Sequence, residues 1–436
     1  MSLPDVVVVG AGFAGLSAAV RLASRGARVT VVEERRRLGG RATSFQDAVT
    51  GERVDNGQHA IFGCYHATFG FLQTIGALDD VRLDERLEIE IVDRAGVDSC
   101  LRSTALPPPL HLVGGLLRWP ALGFRDRLAA LKLGAVLRGA RDHASLLRIT
   151  VNEWLAANGQ TERLREVLWE PLAVAALNQS PAVASAATFV EVLARMFNGT
   201  RRDSAVGLPL KPLDRWFAEP AREWLVSKGH SFHAGQPARL LVADGRAIGV
   251  DIGSARLLAG AIVSAVPWFS FPAFVEGVSE VQAIAERAAA MTPSPIVTVN
   301  LWLDRPVTRT AFVGLPGRTF QWVFDKSQLA GSSWSHLSLV SSGADAVVAQ
   351  SNEALIDLAT RELKAALPAA GSATVRRASA VREQRATFSL APGQPLRPDC
   401  TTPLPGLVLA GDWTDTGLPA TIEGAVVSGH RAAEAV

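Results

Sequence analysis

A glycine-rich turn near the N-terminus constrains the fold of this chain more than any other feature. Gly10, Gly12 and Gly15 follow a valine-rich run at residues 5–10. The run predicts a strand that is covered on both faces, as in a parallel sheet. The first glycine makes a tight turn, the second lets backbone N–H groups approach a pyrophosphate, and the third lets a helix pack closely on the strand. This pattern indicates a βαβ dinucleotide-binding fold.

The segments after this turn fit the same fold. Phe13 to Arg25 has the apolar spacing of a helix, Gly26 ends it, and Ala27 to Glu33 has the composition of a second strand. Glu33 stands 18 residues after Gly15, where a carboxylate accepts hydrogen bonds from the adenosine ribose and disfavours a 2′-phosphate. Because strand, helix, second strand and acid follow one another with the expected spacing, a purely structural role for the glycine turn is the weaker interpretation.

Length, composition and charge limit the remaining interpretations. The 436 residues predict two or three domains, and 48% hydrophobic residues suffice for a large core. A net charge of +2 without a basic block argues against a nucleic-acid partner. Cys64, Cys100 and Cys400 are too widely separated to suggest a disulfide framework, which favours a reducing compartment and a cytoplasmic protein. Neither a signal peptide, a transmembrane helix nor a metal site is predicted.

The rest of the chain predicts an α/β protein with a second, inserted body. Short strands are expected between 84 and 102, helices from 124 to 198, a hairpin around Asp244-Gly245 and a buried strand at 261–267. Residues 295–342 predict a largely antiparallel sheet, followed by a helix from Ser351 to Leu367, and the C-terminus reads as a strand, a polar loop and a helix. We therefore expect a discontinuous Rossmann-like domain formed by 1–75, 206–270 and 395–436. The substrate domain, of mixed or antiparallel sheet plus helices, is expected at 76–205 and 271–394.

The continuation of the N-terminal motif carries a family resemblance. Leu38-Gly39-Gly40-Arg41-Ala42 follows the acid, and together with the glycine turn it resembles the N-terminus of the flavin amine oxidase and carotenoid desaturase superfamily. The resemblance implies FAD, with the Gly-Gly-Arg segment along its phosphates and ribityl chain. It also implies that Asp412, in Leu409-Ala410-Gly411-Asp412, binds the ribityl chain. Thr421 and Ile422 would then direct the N–H groups of the last helix at the flavin pyrimidine carbonyl.

The expected FAD-binding residues come from four separate parts of the chain. They are Gly10, Gly12, Phe13, Ala14, Gly15, Glu33, Glu34, Gly39, Gly40, Arg41, Ala42, Gly57, Gln58, His59, Pro237, Ala238, Gly411, Asp412, Thr421 and Ile422. Pro237 departs from the family pattern because it stands at or near the backbone contact to adenine and has no N–H. Either adenine is held by one hydrogen bond fewer, or the contact lies one or two residues away.

Further segments resemble one branch of the superfamily. Val54-Asp55-Asn56-Gly57-Gln58-His59, Gly63-Cys64-Tyr65, Trp169-Glu170-Pro171-Leu172 and Ala176-Leu177-Asn178 are similar to the squalene-associated flavoproteins, the hydroxysqualene dehydroxylases of bacterial hopanoid synthesis. The resemblance implies that reduced FAD delivers hydride to the allylic carbon of hydroxysqualene, giving squalene. The external electron donor is left open.

Three rival interpretations remain. A phytoene-type carotenoid desaturase takes a similar substrate but transfers hydride in the opposite direction. A flavin amine oxidase usually has a lysine near flavin N5 on the strand that corresponds to Met291 to Leu303, where this chain has none, and Tyr65 is its only tyrosine. A flavin-binding protein without catalysis fits poorly with the polar residues between Asp55 and His66.

Those polar residues are the catalytic candidates. Asp55, His59, Tyr65 and His66 follow the FAD segment where the chain is expected to pass the flavin, although each alone is as compatible with a structural role. A packed, unreactive thiol is the favoured interpretation of Cys64.

Two further sets of residues have both a functional and a structural interpretation. Four aromatic residues of the proposed substrate sheet either line an apolar tunnel or pack in the core, and core packing is favoured; they are Trp302, Phe320, Trp322 and Phe324. Leu110 to Leu133 mixes apolar and basic residues, which is typical either of a segment that lies on a membrane surface or of a helix packed on the protein's own core.

Overall fold

A computed structural model describes residues 5–136, 143–331 and 335–436 of the chain. The strands are β1 (Val6–Val9), β2 (Val29–Glu33), β3 (Ser44–Gln46), β4 (Arg53–Asp55), β5 (Ile61–Phe62), β6 (Val81–Leu83), β7 (Glu88–Val92), β8 (Asp98–Arg102), β9 (Val206–Pro209), β10 (Ser231–Ala234), β11 (Arg239–Ala243), β12 (Arg246–Asp251), β13 (Arg256–Leu258), β14 (Ala261–Ser264), β15 (Pro293–Leu303), β16 (Phe312–Gly314), β17 (Trp322–Asp325), β18 (Ser335–Ser342), β19 (Val375–Phe388) and β20 (Leu407–Leu409). The α-helices are α1 (Phe13–Ser24), α2 (His66–Thr74), α3 (Leu110–Arg118), α4 (Phe124–Val136), α5 (His143–Leu146), α6 (Val151–Ala157), α7 (Glu162–Leu164), α8 (Glu170–Leu177), α9 (Ala186–Asn198), α10 (Glu219–Ser227), α11 (Phe271–Phe274), α12 (Gln282–Ala289), α13 (Lys326–Ala330), α14 (Asn352–Ala366) and α15 (Ile422–Ala435).

A parallel sheet of five strands, in the order β10-β2-β1-β14-β20, forms around the N-terminal motif. All four residues of β1 are buried, as expected for a central strand covered on both faces. The chain continues to β2 on one side of β1, whereas β14 lies on the other side. This reversal places a topological switch point at the carboxyl end of β1, where open α/β sheets bind their ligands.

Two helices pack against each other beside this sheet through close backbone contacts. A Cβ atom on Gly15 would lie 1.9 Å from the carbonyl oxygen of Gly10, so α1 can approach the end of β1 only with glycine at that position. A Cβ atom on Gly429 would lie 2.3 Å from the carbonyl oxygen of Ala14, which brings α15 equally close to α1. The first and last helices of the chain therefore meet at the glycine turn.

A larger sheet, of order β19-β15-β18-β17-β16-β7-β8, is antiparallel except for the β16–β7 pair. Its two faces differ. One carries Val299, Leu301 and Leu339, which pack with Leu355 and Leu363 of α14. The other, called here the polar face, carries the side chains of Thr298, Asn300, Trp302, His336 and Ser338, since these residues alternate with the first set along β15 and β18.

The predicted secondary structure is confirmed in its main features but is incomplete. The βαβ unit, the hairpin at Asp244-Gly245, the largely antiparallel sheet and the C-terminal strand and helix all form. The predicted α/β fold class is confirmed, with one parallel and one mixed sheet. The 14-residue strand β19 was not predicted, because its sequence VRRASAVREQRATF lacks a regular apolar alternation and is held by pairing along β15. The domain boundaries given above stay a prediction.

A helical body, α3 to α9, packs around Trp119, Trp154 and Trp169 against the part of the polar face that carries Phe324 and Val340. Asn178 ends α8 in the left-handed conformation, and its side chain bonds Ser294 and Thr387 and accepts from the N–H of Gly343. The Ala-Leu-Asn segment therefore fastens the helical body to the sheet. Within residues 5–136, 143–331 and 335–436, no helix has the length and hydropathy needed to cross a membrane.

Candidate active site

The two glycine segments of the N-terminal motif meet at the beginning of α1. The N–H of Gly39 donates to the carbonyl of Ala11 at 2.9 Å, and a Cβ atom on Gly40 would lie 3.3 Å from the Cα atom of Gly12. No side chain caps the N-terminus of α1, and its first turn contains no acidic residue. Its first N–H groups are thus available to an anion such as a pyrophosphate, and the surrounding glycines leave the backbone open to it.

Glu33 is the last residue of β2, as the sequence predicted. Its carboxylate is buried and accepts hydrogen bonds from the N–H groups of Ala11, at 2.7 Å, and Arg35, at 2.9 Å. The N–H of Gln236 donates to the carbonyl of Glu33 at 3.0 Å, which places the following Pro237-Ala238 segment beside the end of β2. Ala238 retains an N–H that Pro237 lacks, so it is the one of the pair able to donate to adenine.

The two ends of the chain are joined by an ion pair. The Arg41 guanidinium bonds the carboxylate of Asp412, which is only 4% exposed, and also donates to the carbonyl of Ala386 at 2.8 Å. It lies over the ring of Trp268 at 5.0 Å. A charged donor that is paired and stacked has little freedom to move. The Gly-Gly-Arg and Gly-Asp segments are thereby fixed on the same side of the glycine turn.

A buried lysine, which the sequence analysis did not single out, pairs with the catalytic candidate Asp55. The Nζ atom of Lys326 lies 2.8 Å from Oδ2 of Asp55 and 2.6 Å from Oε1 of Gln58. The other carboxylate oxygen accepts from the hydroxyl of Ser44 at 2.6 Å and the N–H of Leu213 at 3.0 Å. Burial by itself raises the pKa of Asp55, but the Lys326 ammonium and these hydrogen bonds outweigh it and hold that pKa below its ordinary value.

Lys326 is the first residue of α13, far from Asp55 in sequence, and the sheet pairing of β17 brings it there. One signal could have identified it: the chain contains only five lysines against 39 arginines. A lysine at a buried position, in a chain whose basic residues are mostly arginine, suggests that the site fits a compact ammonium group. A buried lysine is therefore present on α13 although β15 has none, so the absence of lysine from β15 does not by itself exclude an amine oxidase.

His59 and Gly57 lie on the loop that follows Asp55. The Nδ1 atom of His59 is 2.9 Å from the carbonyl oxygen of Gly57, and burial lowers the pKa of its imidazole and so favours the neutral form. A Cβ atom on Gly57 would lie 3.6 Å from Oγ1 of Thr298. This loop therefore rests against the polar face of the large sheet.

Tyr65 and His66 have different surroundings from Asp55 and His59. Burial raises the pKa of Tyr65 above its ordinary value. A hydrogen bond with Thr421, the N-terminal cap of α15, lowers this pKa but by less than burial raises it. His66 is exposed and lies 3.0 Å from Oδ1 of Asp203. The structure thus brings Asp55, His59 and Gln58 together, places Tyr65 at the beginning of α15, and leaves His66 outside both groups.

Thr421 and Ile422 mark the start of α15, as predicted. The next residue, Glu423, which the sequence analysis did not name, also holds this end of the helix in place. Its buried carboxylate accepts from the N–H of Ala67 at 3.0 Å and from the N–H of Thr68 at 2.9 Å. A carboxylate at the N-terminus of a helix satisfies its free N–H groups and stabilises its dipole. Glu423 therefore connects α15 to α2, the helix that follows Tyr65.

A row of polar and aromatic side chains lines the polar face. The Nε2 atom of His336 lies 2.9 Å from Oδ1 of Asn300, and its ring stacks on Trp302 with 4.3 Å between the centroids. Burial and the nearby Lys326 lower the pKa of His336 to about 4, so it is neutral at pH 7. The indole N–H of Trp302 donates to Glu52 at 2.7 Å. Trp302 is therefore a core residue, as the favoured interpretation expected.

The other three aromatic candidates divide between the two faces. Phe320 is fully buried in the cluster that packs on α14, away from the polar face. Trp322 and Phe324 lie opposite Val340 and Ser338 and so share the polar face, where both belong to the apolar cluster that includes Phe312. Of these three, only Trp322 and Phe324 share the face that carries Thr298 and Asn300.

Comparison with known proteins agrees with this geometry. The model of the family described as flavin containing amine oxidoreductase matches residues 13–436. The chain is 32% identical to the hydroxysqualene dehydroxylase of Rhodopseudomonas palustris, over 99% of this chain and 98% of that protein. It is 25% identical to the zeta-carotene desaturase of Synechocystis sp., over 99% of this chain and 96% of the other. A solved oxidoreductase from Methanosarcina mazei superposes with a TM-score of 0.76 at 18% identity, covering 98% of each chain.

The family match spans nearly the whole chain, and the glycine turn, the uncapped α1 and the joined termini form the kind of cradle that a flavin dinucleotide requires. The chain therefore belongs to the family of flavin-containing amine oxidoreductases and is an FAD-dependent oxidoreductase.

Proposed function

We propose that this protein reduces hydroxysqualene to squalene. The carbon–oxygen bond of the allylic alcohol breaks, a carbon–hydrogen bond forms at the allylic carbon, reduced FAD is oxidised, and the oxygen leaves as water after taking up a proton. The observation that carries the proposal is the 32% identity, along the entire chain, to a protein named hydroxysqualene dehydroxylase. The agreement of the Asp55 to Tyr65 and Trp169 to Asn178 segments with that group supports it.

In this proposal the residues of the cradle hold FAD in separate parts. The N-terminus of α1 binds the pyrophosphate and Glu33 the adenosine ribose, with Pro237-Ala238 beside the adenine. Arg41 and Asp412 flank the ribityl chain, and Thr421 and Ile422 direct N–H groups toward the pyrimidine ring. When bound and reduced, the flavin supplies the hydride equivalent.

The charges around Asp55 suggest how the chain contributes. Asp55 is ionised in its pair with Lys326, so we assign it the role of anchoring that ammonium and the Gly57-Gln58-His59 loop rather than of donating a proton. Tyr65 is protonated at neutral pH, as a phenol ordinarily is, and so stays a candidate for a hydrogen bond to the departing oxygen. The apolar residues around the polar face would keep water away from a developing cation.

The rival function with support of its own is a carotenoid desaturase. It rests on the 25% identity to a zeta-carotene desaturase over nearly the whole of both chains. Both reactions place a long isoprenoid beside the flavin, and they differ in the direction of hydride transfer. The two relatives differ in identity by seven percentage points, 32% against 25%, which favours dehydroxylation.

Anaerobic mixing of the photoreduced holoprotein with hydroxysqualene separates the two functions. We expect flavin reoxidation, seen as recovery of its absorbance near the oxidised maximum, together with one equivalent of squalene measured by mass spectrometry. The same protein in the oxidised state is mixed with squalene or phytoene as the control. Bleaching of the flavin by either hydrocarbon, with no reaction of the alcohol, would establish a desaturase instead.

We also propose that α3 and α4 dock on the inner surface of the cytoplasmic membrane, from which a water-insoluble substrate could be drawn. Apolar residues are unusually exposed there, and basic ones accompany them. They are Leu110 at 46% exposure, Leu117 at 42%, Phe124 at 81%, Leu128 at 47% and Leu131 at 41%, with exposed Arg118, Arg125 and Lys132.

This docking predicts that the protein sediments with vesicles of anionic phospholipid and that Phe124→Glu reduces the bound fraction. Removing a large apolar contact and adding a negative charge both weaken association with an anionic surface. Val226→Glu is the matched control, because Val226 is 54% exposed on α10, outside this patch. Equal sedimentation of the two variants and the parent protein would contradict the proposal.

A further inference from the structure

Buried polar atoms without a partner are concentrated on the polar face. Five side-chain atoms with no hydrogen-bond partner among the described residues belong to this side of β15, β17 and β19; they are Oγ1 of Thr298, Nδ2 of Asn300, Nε1 of Trp322, Nε of Arg377 and Oγ of Ser379. Burying a polar group without a partner costs free energy, so native proteins rarely leave several such groups together. A cluster of this kind points to a ligand that supplies the missing hydrogen bonds.

Thr298 and Asn300 form the centre of this cluster. They are two residues apart on β15, so their side chains lie next to each other on the same face, and their exposures are 0% and 1%. One end of the Asn300 amide is held by His336, which is itself fixed by stacking on Trp302. The other end, Nδ2, has no hydrogen-bond partner among the described residues and is held in a fixed direction.

Across the sheet, Asn300 lies between Ser338 and Ser379, and Thr298 lies between Val340 and Val381. Trp322 and Phe324 lie on the same face. Gly57, on the loop assigned to the flavin, approaches Oγ1 of Thr298. The pair therefore offers two or three hydrogen bonds between polar and apolar neighbours, next to the loop assigned to the flavin.

We propose that Thr298 and Asn300 bind the hydroxyl group of the substrate and so select an isoprenoid alcohol over the hydrocarbon of the same skeleton. The inference rests on the proposed function and specifies its substrate site. A hydroxyl group both donates and accepts a hydrogen bond, so it satisfies the threonine hydroxyl and the free end of the amide together. A hydrocarbon leaves both groups buried and unpaired, and sites built in this way discriminate strongly against the ligand that lacks the polar group.

The test compares the binding of hydroxysqualene and squalene, each presented in detergent micelles, to the oxidised holoprotein. The alcohol cannot turn over without a reduced flavin, so the perturbation of the flavin absorbance spectrum reports binding alone. We expect the alcohol to bind at least about tenfold more tightly than squalene. Thr298→Val and Asn300→Leu should bring the two dissociation constants to within about twofold of each other by weakening only the alcohol.

Two matched variants separate hydrogen bonding from disturbance of the strand. Thr298→Ser keeps the hydroxyl and should keep the preference, whereas Thr298→Val keeps the volume and should lose it. Val299→Ala removes packing from the opposite face of β15 and should lower the melting temperature while keeping the preference. FAD content, measured by absorbance after denaturation, verifies that each variant retains the cofactor.

The outcomes distinguish the inference from the proposed function. If Thr298→Val and Asn300→Leu bind FAD and still prefer the alcohol, the hydroxyl site is overturned and the dehydroxylase proposal stands. If the parent protein binds squalene as tightly as the alcohol, the selection is likewise overturned. If it binds neither ligand, the proposed function itself fails, and the hydroxyl site fails with it.

Discussion

Replacing Lys326 by methionine is expected to lower the free energy of unfolding by about 3–5 kcal/mol. The substitution keeps most of the side-chain volume but leaves the Asp55 carboxylate, 6% exposed, without its cationic partner. An uncompensated buried charge is among the most destabilising defects that a single substitution can produce. Urea denaturation of the holoprotein at pH 7, followed by tryptophan fluorescence, measures the loss.

A second substitution tests whether the lost charge pair is the cause. Asp55→Asn in the Lys326→Met background removes the unpaired charge, so the double variant should be more stable than the sum of the two single effects predicts. Lys211→Met is the control, because Lys211 pairs with Asp80 at the surface and its side chain is 53% exposed. Its effect should stay within about 1 kcal/mol. Equal destabilisation by the two lysine substitutions would contradict the assignment.

Gly15→Ala is expected to abolish copurification of FAD and to weaken FAD binding by about a hundredfold or more. The added methyl group would stand 1.9 Å from the carbonyl oxygen of Gly10, and the obstacle is backbone, which cannot rotate away. The beginning of α1 would have to move off β1, carrying with it the N–H groups assigned to the pyrophosphate. Absorbance at the flavin maximum relative to that at 280 nm measures the cofactor content.

The matched control is Gly70→Ala on the exposed side of α2. No atom lies within 4 Å of a Cβ built there, and alanine favours a helix over glycine, so FAD content should be unchanged. Circular dichroism of the Gly15→Ala protein establishes whether the fold persists without FAD. Normal FAD binding by this variant would refute the role given to the glycine turn.

The sequence predicted the features that depend on short-range patterns. Alternation, helical spacing and the positions of glycine identified β1, α1 and β2, because these properties act between residues close in the chain. The acid at Glu33 and the Gly-Gly-Arg segment have fixed offsets from the turn, so the cofactor and its cradle could be inferred. The strand β19 was missed, since its residues take their structure from pairing with β15 rather than from their own pattern.

The sequence by itself therefore determined the nucleotide fold, its flavin and the family of this protein. Only the tertiary structure decided which distant side chains complete the site: Lys326 beside Asp55, Arg41 on Asp412, and Oγ1 of Thr298 and Nδ2 of Asn300, which have no partner among the described residues. The physical reason is that burial and pairing across the chain depend on sheet register and helix docking. These are set by the packing of the whole molecule, and no local spacing records them.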